Sequence, residues 1–134
     1  MHSTKIVTSF IRDNDKLLIL KRSNKVKSMK ELWAGISGII ENGEVPLKRA
    51  KIEIFEEAGI VEGKIKLIKA AEEMRVNSPQ YKNHEWEIFP FLFEATNPTI
   101  KLNWENSDFR WIRVEELGNY ETVPSLQKVL FNLL

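Results

Sequence analysis

The chain has 134 residues and lacks cysteine, so disulfides, zinc–thiolate sites and thiol nucleophiles are excluded. Any metal ion must therefore be held by oxygen or imidazole ligands, and only two histidines are present. No apolar run approaches the roughly 20 residues that span a bilayer. The first residues, Met1-His2-Ser3-Thr4-Lys5, are not followed by the apolar stretch of a secretory signal. These absences predict a cytoplasmic protein that does not bind membranes.

The chain also has almost no net charge, with 20 basic residues against 19 acidic ones. Nucleic acid is therefore not an expected partner, although a local basic patch is compatible with this balance. Length and composition predict a single domain over residues 1–134. The apolar end, Phe131-Asn132-Leu133-Leu134, leaves open that this domain was cut from a longer protein. A homodimer is the commonest assembly for such a domain, but nothing in the sequence selects it.

The order of apolar and turn-forming residues predicts an α/β fold. Residues 6–12 and 16–22 are apolar-rich and flank Asp13-Asn14-Asp15, which predicts a hairpin. Pro46 and Gly59 are placed to begin and end a helix. A sheet between helices is the simplest arrangement. Further extended segments are predicted at 32–40, 64–74, 85–95 and 108–112, a surface loop at 76–84, and a second helix at 122–134.

Three glutamates gather on one side of the first helix. At about 100° per residue, Glu53, Glu56 and Glu57 fall within roughly a 100° arc. Such an acidic face is either solvated or a site for a hard cation such as Mg²⁺ or Mn²⁺. Gly38 and Gly43 precede the helix and permit a close backbone approach, which favours the cation site. The neighbouring arc carries the apolar stripe of the helix, formed by Leu47, Ala50, Ile54 and Ala58.

The same stretch resembles the signature of the Nudix hydrolase family, Gly-x5-Glu-x7-Arg-Glu-U-x-Glu-Glu-x-Gly-U, in which U is aliphatic. All fixed positions but one are filled in register, without gaps. Trp33 and the segment Arg110-Trp111-Ile112 are also typical of the family. The resemblance therefore covers most of the chain. The matching residues are Gly38, Glu44, Glu53, Ile54, Glu56, Glu57, Gly59 and Ile60.

The resemblance implies a Nudix-type α/β/α sandwich with a mixed β-sheet between helices. It further implies metal-dependent hydrolysis of a nucleoside diphosphate linked to another moiety, with Mg²⁺ or Mn²⁺ as cofactor. Glu53, Glu56 and Glu57 would be the catalytic residues and metal ligands, assisted by the backbone at Gly38. Glu53 is one candidate for the general base, and a later loop acid is the other. The candidate loop acids are Glu105 and Asp108.

One position departs from the family pattern, because Ile52 stands where the arginine belongs. In the family this arginine pairs with the catalytic glutamates and orients them, which isoleucine cannot do. We hypothesise that Arg49 partly replaces it, since Arg49 lies one turn before Glu53 and projects onto the same face. A solvent-facing arginine is the alternative. Ile52 also leaves open a nucleotide-binding module with weak or no catalysis.

The residues expected to bind the nucleotide-type substrate are less specific. Arg12, Lys21 and Arg22 belong to a basic cluster that could meet phosphates, and Trp33 could stack on a base. Solvated surface for the cations and core packing for Trp33 are the alternatives. An RNA 5′-end hydrolase shares the chemistry but receives no support from the charge balance. Further candidates are Lys27, Lys30, Tyr81, Trp86 and His84.

Overall fold

The structure, a computed structural model, describes residues 2–77 and 82–134, and within them the chain forms one eight-stranded sheet and two α-helices. No helix in this part of the chain is long and apolar enough to cross a membrane. The strands are β1 (His2–Asp13), β2 (Lys16–Arg22), β3 (Trp33–Ala34), β4 (Ile36–Ile39), β5 (Lys66–Ala70), β6 (Met74–Asn77), β7 (His84–Glu94) and β8 (Asn106–Ile112), and the helices are α1 (Pro46–Ala58) and α2 (Leu126–Phe131).

The sheet is mixed and opens beside β1. The predicted hairpin is present, but β1 and β2 pair only next to their turn, at Arg12 with Leu17 and Asp13 with Lys16. Further along the same strand, residues 6–9 of β1 pair with β4 instead. On its other side β1 runs parallel to β7 over its whole length. Residues of both strands, Arg22 of β2 and Gly38 of β4, line one cavity at this opening.

The two helices cover opposite faces of the sheet. Consecutive residues of β2 show this, because they point to opposite faces of the sheet. Leu18 packs in the core cluster beside α1, and Leu17 packs in the cluster beside α2. In α1, Ala50 and Ile54 are fully buried, as the apolar stripe predicts. The predicted sandwich of a mixed sheet between helices is confirmed.

Two predicted elements need correction. The strand expected at 64–74 is divided into β5 and β6, and both pair with β7. The register of β5 against β7 shifts between Leu67 and Lys69. The second helix covers Leu126–Phe131 and not 122–134. Its predicted first turn is extended, because Thr122 bridges to Trp33 and the amide of Val123 donates to the Trp33 carbonyl. Part of the predicted loop at 76–84 is strand, and residues 78–81 lie outside the described residues.

The short helix α2 provides a test of the packing. Leu130 is 1% exposed and its neighbour Phe131 is 61% exposed. Leu130→Ala should lower the free energy of unfolding by about 2–5 kcal/mol, because it leaves a cavity in the core. The control Phe131→Ala should change it by less than about 1 kcal/mol. Urea unfolding of both variants measures the difference, and equal effects would contradict the burial of α2.

Candidate active site

No side chain caps the first turn of helix α1. The side chain of Glu44 instead accepts a hydrogen bond within the loop that precedes the helix. Val45 occupies the cap position in an extended conformation and Pro46 forms the first turn. The Glu44 carboxylate accepts a hydrogen bond from the backbone amide of Glu41 at 2.7 Å. Gly43 lies between them with a φ of 81°, a left-handed conformation that favours glycine. Glu44 therefore fixes the loop that leads from β4 into α1.

Three carboxylates meet where α1 approaches the segment before β8. Oxygen atoms of Glu53, Glu57 and Glu105 all lie within 4.8 Å of one another. Glu53 is 8% exposed and Glu57 is 4% exposed. Asn106 donates to one oxygen of Glu57 at 3.0 Å, and the other oxygen is buried without a partner among the described residues. We call these three residues the acid cluster.

The electrostatics of the acid cluster oppose ionisation. Burial raises the pKa of Glu57 well above its ordinary value, and the charge of Glu105 adds to the rise, whereas the hydrogen bond from Asn106 opposes it. Burial also raises the pKa of Glu53, against the hydrogen bond from Arg49. In such surroundings a carboxylate stays ionised only when a cation lies beside it, and otherwise it takes up a proton.

Arg49 connects this cluster to the loop before α1. Its Nε and Nη2 donate to the two oxygens of Glu44 at 3.0 and 2.6 Å. Its Nη1 donates to Glu53 at 3.0 Å. The hydrogen bonds from Arg49 lower the pKa of Glu44 and, together with charge, raise that of Arg49 itself. Arg49 thus holds Glu53 from the position that its helical spacing predicts.

Ile52 lies on a different side of the helix. It is half-buried and borders a shallow surface hollow together with Phe55 and Val61. It does not border the cavity that contains Glu53. The residue that replaces the motif arginine therefore lies at the surface, where its neighbours include the exposed side chains of Phe55 and Val61.

Gly38 allows the closest approach between backbone and acid cluster. A Cβ atom added at Gly38 would collide with the side chain of Glu53. Any residue other than glycine would consequently displace that carboxylate. The structure thus places Gly38 beside Glu53, one of the three glutamates predicted to be catalytic.

A cavity of about 470 Å³ is lined by Gly38 and by two members of the acid cluster, Glu53 and Glu105. Glu53, Glu56 and Glu105 line it, with Glu56 exposed at its surface. Arg22 also lines it and donates to the Ser28 carbonyl at 3.0 and 3.2 Å. Burial lowers the pKa of Arg22, and the charges of Glu57 and Glu105 counteract this. Of the four residues predicted to bind substrate, Arg22 is the one that borders this cavity.

The other candidates lie elsewhere. Arg12 pairs with Glu94 at 3.4 Å, and neither Arg12 nor Lys21 lines the cavity. Trp33 packs edge-on against Tyr120 with ring centroids 5.2 Å apart, which agrees with the core alternative. Of the two loop acids, Glu105 joins the acid cluster whereas Asp108 pairs with Arg110. Of the further candidates, Trp86 lines the cavity, and His84 contacts Trp86. Lys27 and Lys30 do not line the cavity. Tyr81 lies outside the described residues.

Sequence reasoning missed part of the cavity wall. Trp104 lines the cavity and is 61% exposed, and Met29 lines it from the loop after β2. Val123, Leu126 and Val129 line it from the α2 side. The helical spacing of the last two indicates burial but not that they border a cavity.

The acid cluster has the composition of a site for a hard divalent cation. Its donors are carboxylate oxygens, which Mg²⁺ and Mn²⁺ prefer. The unpartnered oxygen of Glu57 is a buried acceptor that a cation would satisfy. The residues present therefore fit such an ion.

A family model described as a NUDIX domain matches residues 2–133. The chain belongs to the Nudix family. This membership agrees with the motif in and before α1 and places the chain among hydrolases that act on phosphoanhydride bonds.

Two characterised relatives and one solved Nudix structure are similar to the chain. Dihydroneopterin triphosphate diphosphatase of Haemophilus influenzae is 26% identical over 151 aligned positions, covering 96% of this chain and 87% of that protein. RNA pyrophosphohydrolase of Bartonella clarridgeiae is 29% identical over 107 positions, covering 66% of this chain and 61% of that protein. The Nudix hydrolase structure from Nitrosomonas europaea has a TM-score of 0.78 at 16% identity, covering 97% of this chain and 87% of that one, and shows the fold.

The raised pKa of Glu57 predicts a pH-dependent stability of the metal-free Nudix domain. The folded protein favours the protonated carboxyl, so its stabilisation is full below the ordinary pKa of 4.5 and is lost as the pH rises through the raised pKa. In EDTA, the free energy of unfolding should therefore fall more steeply between pH 4.5 and the raised pKa in the wild type than in Glu57→Gln. Urea unfolding across a pH series measures both slopes. Glu72→Gln, at an exposed position away from the cavity, is the control, and a Glu57→Gln slope equal to the wild type would contradict the burial penalty.

Proposed function

We propose that the protein is a metal-dependent pyrophosphohydrolase that cleaves a nucleoside diphosphate linked to another moiety. The observation that supports this most directly is the acid cluster. Burial raises the pKa of its members Glu53 and Glu57, and its members Glu53 and Glu105 line a cavity of about 470 Å³. Buried like charges destabilise a fold unless a bound cation neutralises them. The two relatives are named for the removal of diphosphate or pyrophosphate from larger substrates, which agrees with this proposal.

Glu53, Glu57 and Glu105 would hold the cation, with Glu56 at the rim and the backbone at Gly38 beside them. When bound, Mg²⁺ or Mn²⁺ supplies charge neutralisation for the diphosphate and lowers the pKa of a coordinated water. Arg22 lies in the same cavity and would contact a phosphate oxygen. Glu53 is the proposed general base, because it lines the cavity and Arg49 fixes its carboxylate. The attacking water would lose its proton to Glu53 while its oxygen bonds to phosphorus. The bond from phosphorus to the bridging oxygen breaks, and that oxygen leaves as part of the departing phosphate anion.

A nucleotide-binding module with weak catalysis is the second candidate, and Ile52 is the observation that favours it. The hydrogen bonds of Arg49 favour the enzyme, because they supply from another position the contact that Ile52 cannot make. A binding module also has little need for buried carboxylates that destabilise the domain.

The test of the function is phosphate release from a panel of diphosphate compounds, with and without Mg²⁺ or Mn²⁺, with inorganic pyrophosphatase and phosphatase as coupling enzymes. The panel contains nucleoside triphosphates, nucleotide sugars, dinucleoside polyphosphates, dihydroneopterin triphosphate and triphosphorylated RNA. At least one member should be hydrolysed only with metal, and Glu57→Gln should lose this activity. Glu116→Gln, on an exposed turn away from the cavity, is the control. Silence across the panel, with metal binding intact, would select the binding module.

Arg49 is proposed as a positioning residue that carries out the task of the missing motif arginine. It makes three hydrogen bonds to two glutamates, and the bidentate pair with Glu44 fixes its guanidinium. Because Glu44 in turn holds the backbone of Glu41, the loop, the arginine and the metal ligand Glu53 form one connected network.

Arg49→Met should weaken Mn²⁺ affinity and lower kcat by about 10- to 100-fold, which is typical when a residue that orients a metal ligand is removed. Substrate KM should change little, because Arg49 acts through Glu53. Lys51→Met on the same helix, whose ammonium pairs with Glu62 outside the cavity, is the control. Wild-type Mn²⁺ affinity and turnover in Arg49→Met would remove the assigned role.

A further inference from the structure

The outer side of helix α1 carries an exposed apolar surface. Val45, Ile52, Phe55 and Val61 border the shallow hollow on this side. Val45, Phe55 and Val61 are 61%, 56% and 48% exposed. Within residues 2–77 and 82–134, they are three of the nine large apolar side chains that are exposed. Such a concentration of apolar surface is typical of a docking site, and we call these four residues the α1 face.

The centre of the α1 face is Ile52, the residue that departs from the family motif. Ala50 and Ile54 are fully buried against the sheet. At 100° per residue, Ile52 lies roughly 160° around the helix from each of them, so it faces outwards. An arginine at this position would place a charge in the middle of the apolar surface, whereas isoleucine keeps the surface continuous.

The charges beside the α1 face are arranged symmetrically about Ile52. Lys48 lies four residues before it and Glu56 four residues after it, and both are exposed. Each is therefore displaced from Ile52 by about 6 Å along the helix axis and about 40° around it, in opposite directions. A twofold axis through Ile52 exchanges the two displacements. In the described part of the chain Lys48 and Glu56 make no ion pair, so both are available to a partner.

We propose that the α1 face binds the α1 face of a second copy of this chain, with the two helices antiparallel and a twofold axis beside Ile52. A twofold interface brings one surface against itself and must be self-complementary. Lys48 of each copy then opposes Glu56 of the other, whereas a parallel arrangement would oppose like charges. The apolar residues supply the affinity, and the exposed ion pairs, which are weak, fix the register.

The interface gives Ile52 a role that hydrolysis does not. On the axis, residue 52 of each copy meets its counterpart, where two isoleucines pack and two arginines would repel each other. Glu56 also lines the cavity of the candidate active site, so Lys48 of the second copy lies at the rim of that cavity. The interface itself requires neither a bound metal nor a substrate, and it goes beyond the proposed function.

The first test is sedimentation of the full chain in EDTA at protein concentrations up to about 1 mM. The wild type should change from monomer to dimer as the concentration rises. Ile52→Arg should raise the dissociation constant of the dimer at least about tenfold, because it sets like charges on the axis.

Phe131→Arg is the matched control, because it introduces the same side chain at a 61% exposed position of the other helix. Its dissociation constant should equal that of the wild type. A wild type that stays monomeric over the whole series would overturn the proposal. Equal dissociation constants in the wild type and Ile52→Arg would overturn it as well.

A charge exchange tests the antiparallel register. Lys48→Glu and Glu56→Lys each oppose like charges across the axis, so each variant alone should dimerise at least about tenfold more weakly than the wild type. Mixed in equal amounts, the two variants should form a heterodimer, because every pair across the axis again joins a glutamate and a lysine. Recovery in the mixture also shows that both variants are folded. The readout is mass, so the effect of Glu56→Lys on the cavity does not enter.

A mixture that stays monomeric while the wild type dimerises would place the interface elsewhere on the molecule. The interface and the hydrolase fail separately. A dimer without metal-dependent hydrolysis would retain the interface and remove the enzyme, whereas hydrolysis by a chain that stays monomeric would do the reverse.

Discussion

The burial of Glu53 and Glu57 is the constraint on which the rest of the site depends. Two carboxylates that are 8% and 4% exposed lose most of their hydration, and Glu105 brings a third negative charge beside them. The pKa of each buried glutamate rises for that reason. The domain tolerates this arrangement because the apolar stripe of α1, including the fully buried Ile54, anchors the helix to the sheet from the adjacent face. Packing energy from one side of the helix thus offsets the electrostatic penalty on the other.

The surrounding residues make sense as responses to that constraint. Gly38 lacks the side chain that would strike Glu53, so the backbone of β4 can approach the carboxylate. Asn106 supplies Glu57 with one hydrogen bond and leaves its second oxygen free for a ligand. Arg49 neutralises part of the charge of Glu53 and is itself fixed by Glu44. A chain with Ile52 at the motif position can therefore still orient Glu53, provided that the arginine lies on the correct face of the helix.

The sequence predicts those parts of the site that depend on local periodicity. Pro46 and Gly59 predict where helix α1 begins and ends. The shared face of Glu53 and Arg49 follows from their spacing of one helical turn. Glu105 could be proposed only as one of two acids, because the pairing of β8 with β2 decides which of them reaches α1. The assignments of Arg12, Lys21 and Trp33 had no such local basis. Arg12 pairs with Glu94, and Lys21 lies opposite Asp108 of β8. Trp33 packs against Tyr120. Each of these contacts joins elements that are distant in sequence.

The error at α2 has the same origin and bears on function. Apolar spacing alone would extend this helix back to Thr122, but the backbone there pairs with β3, and the helix starts only after Ser125 at a φ of 68°. Because residues 122–125 are not helical, Val123 and Pro124 can line the cavity together with Leu126. A longer helix would give this wall a different shape. The tertiary contact that overrides helix propensity at the end of the chain is thus also a determinant of the cavity opposite the acid cluster.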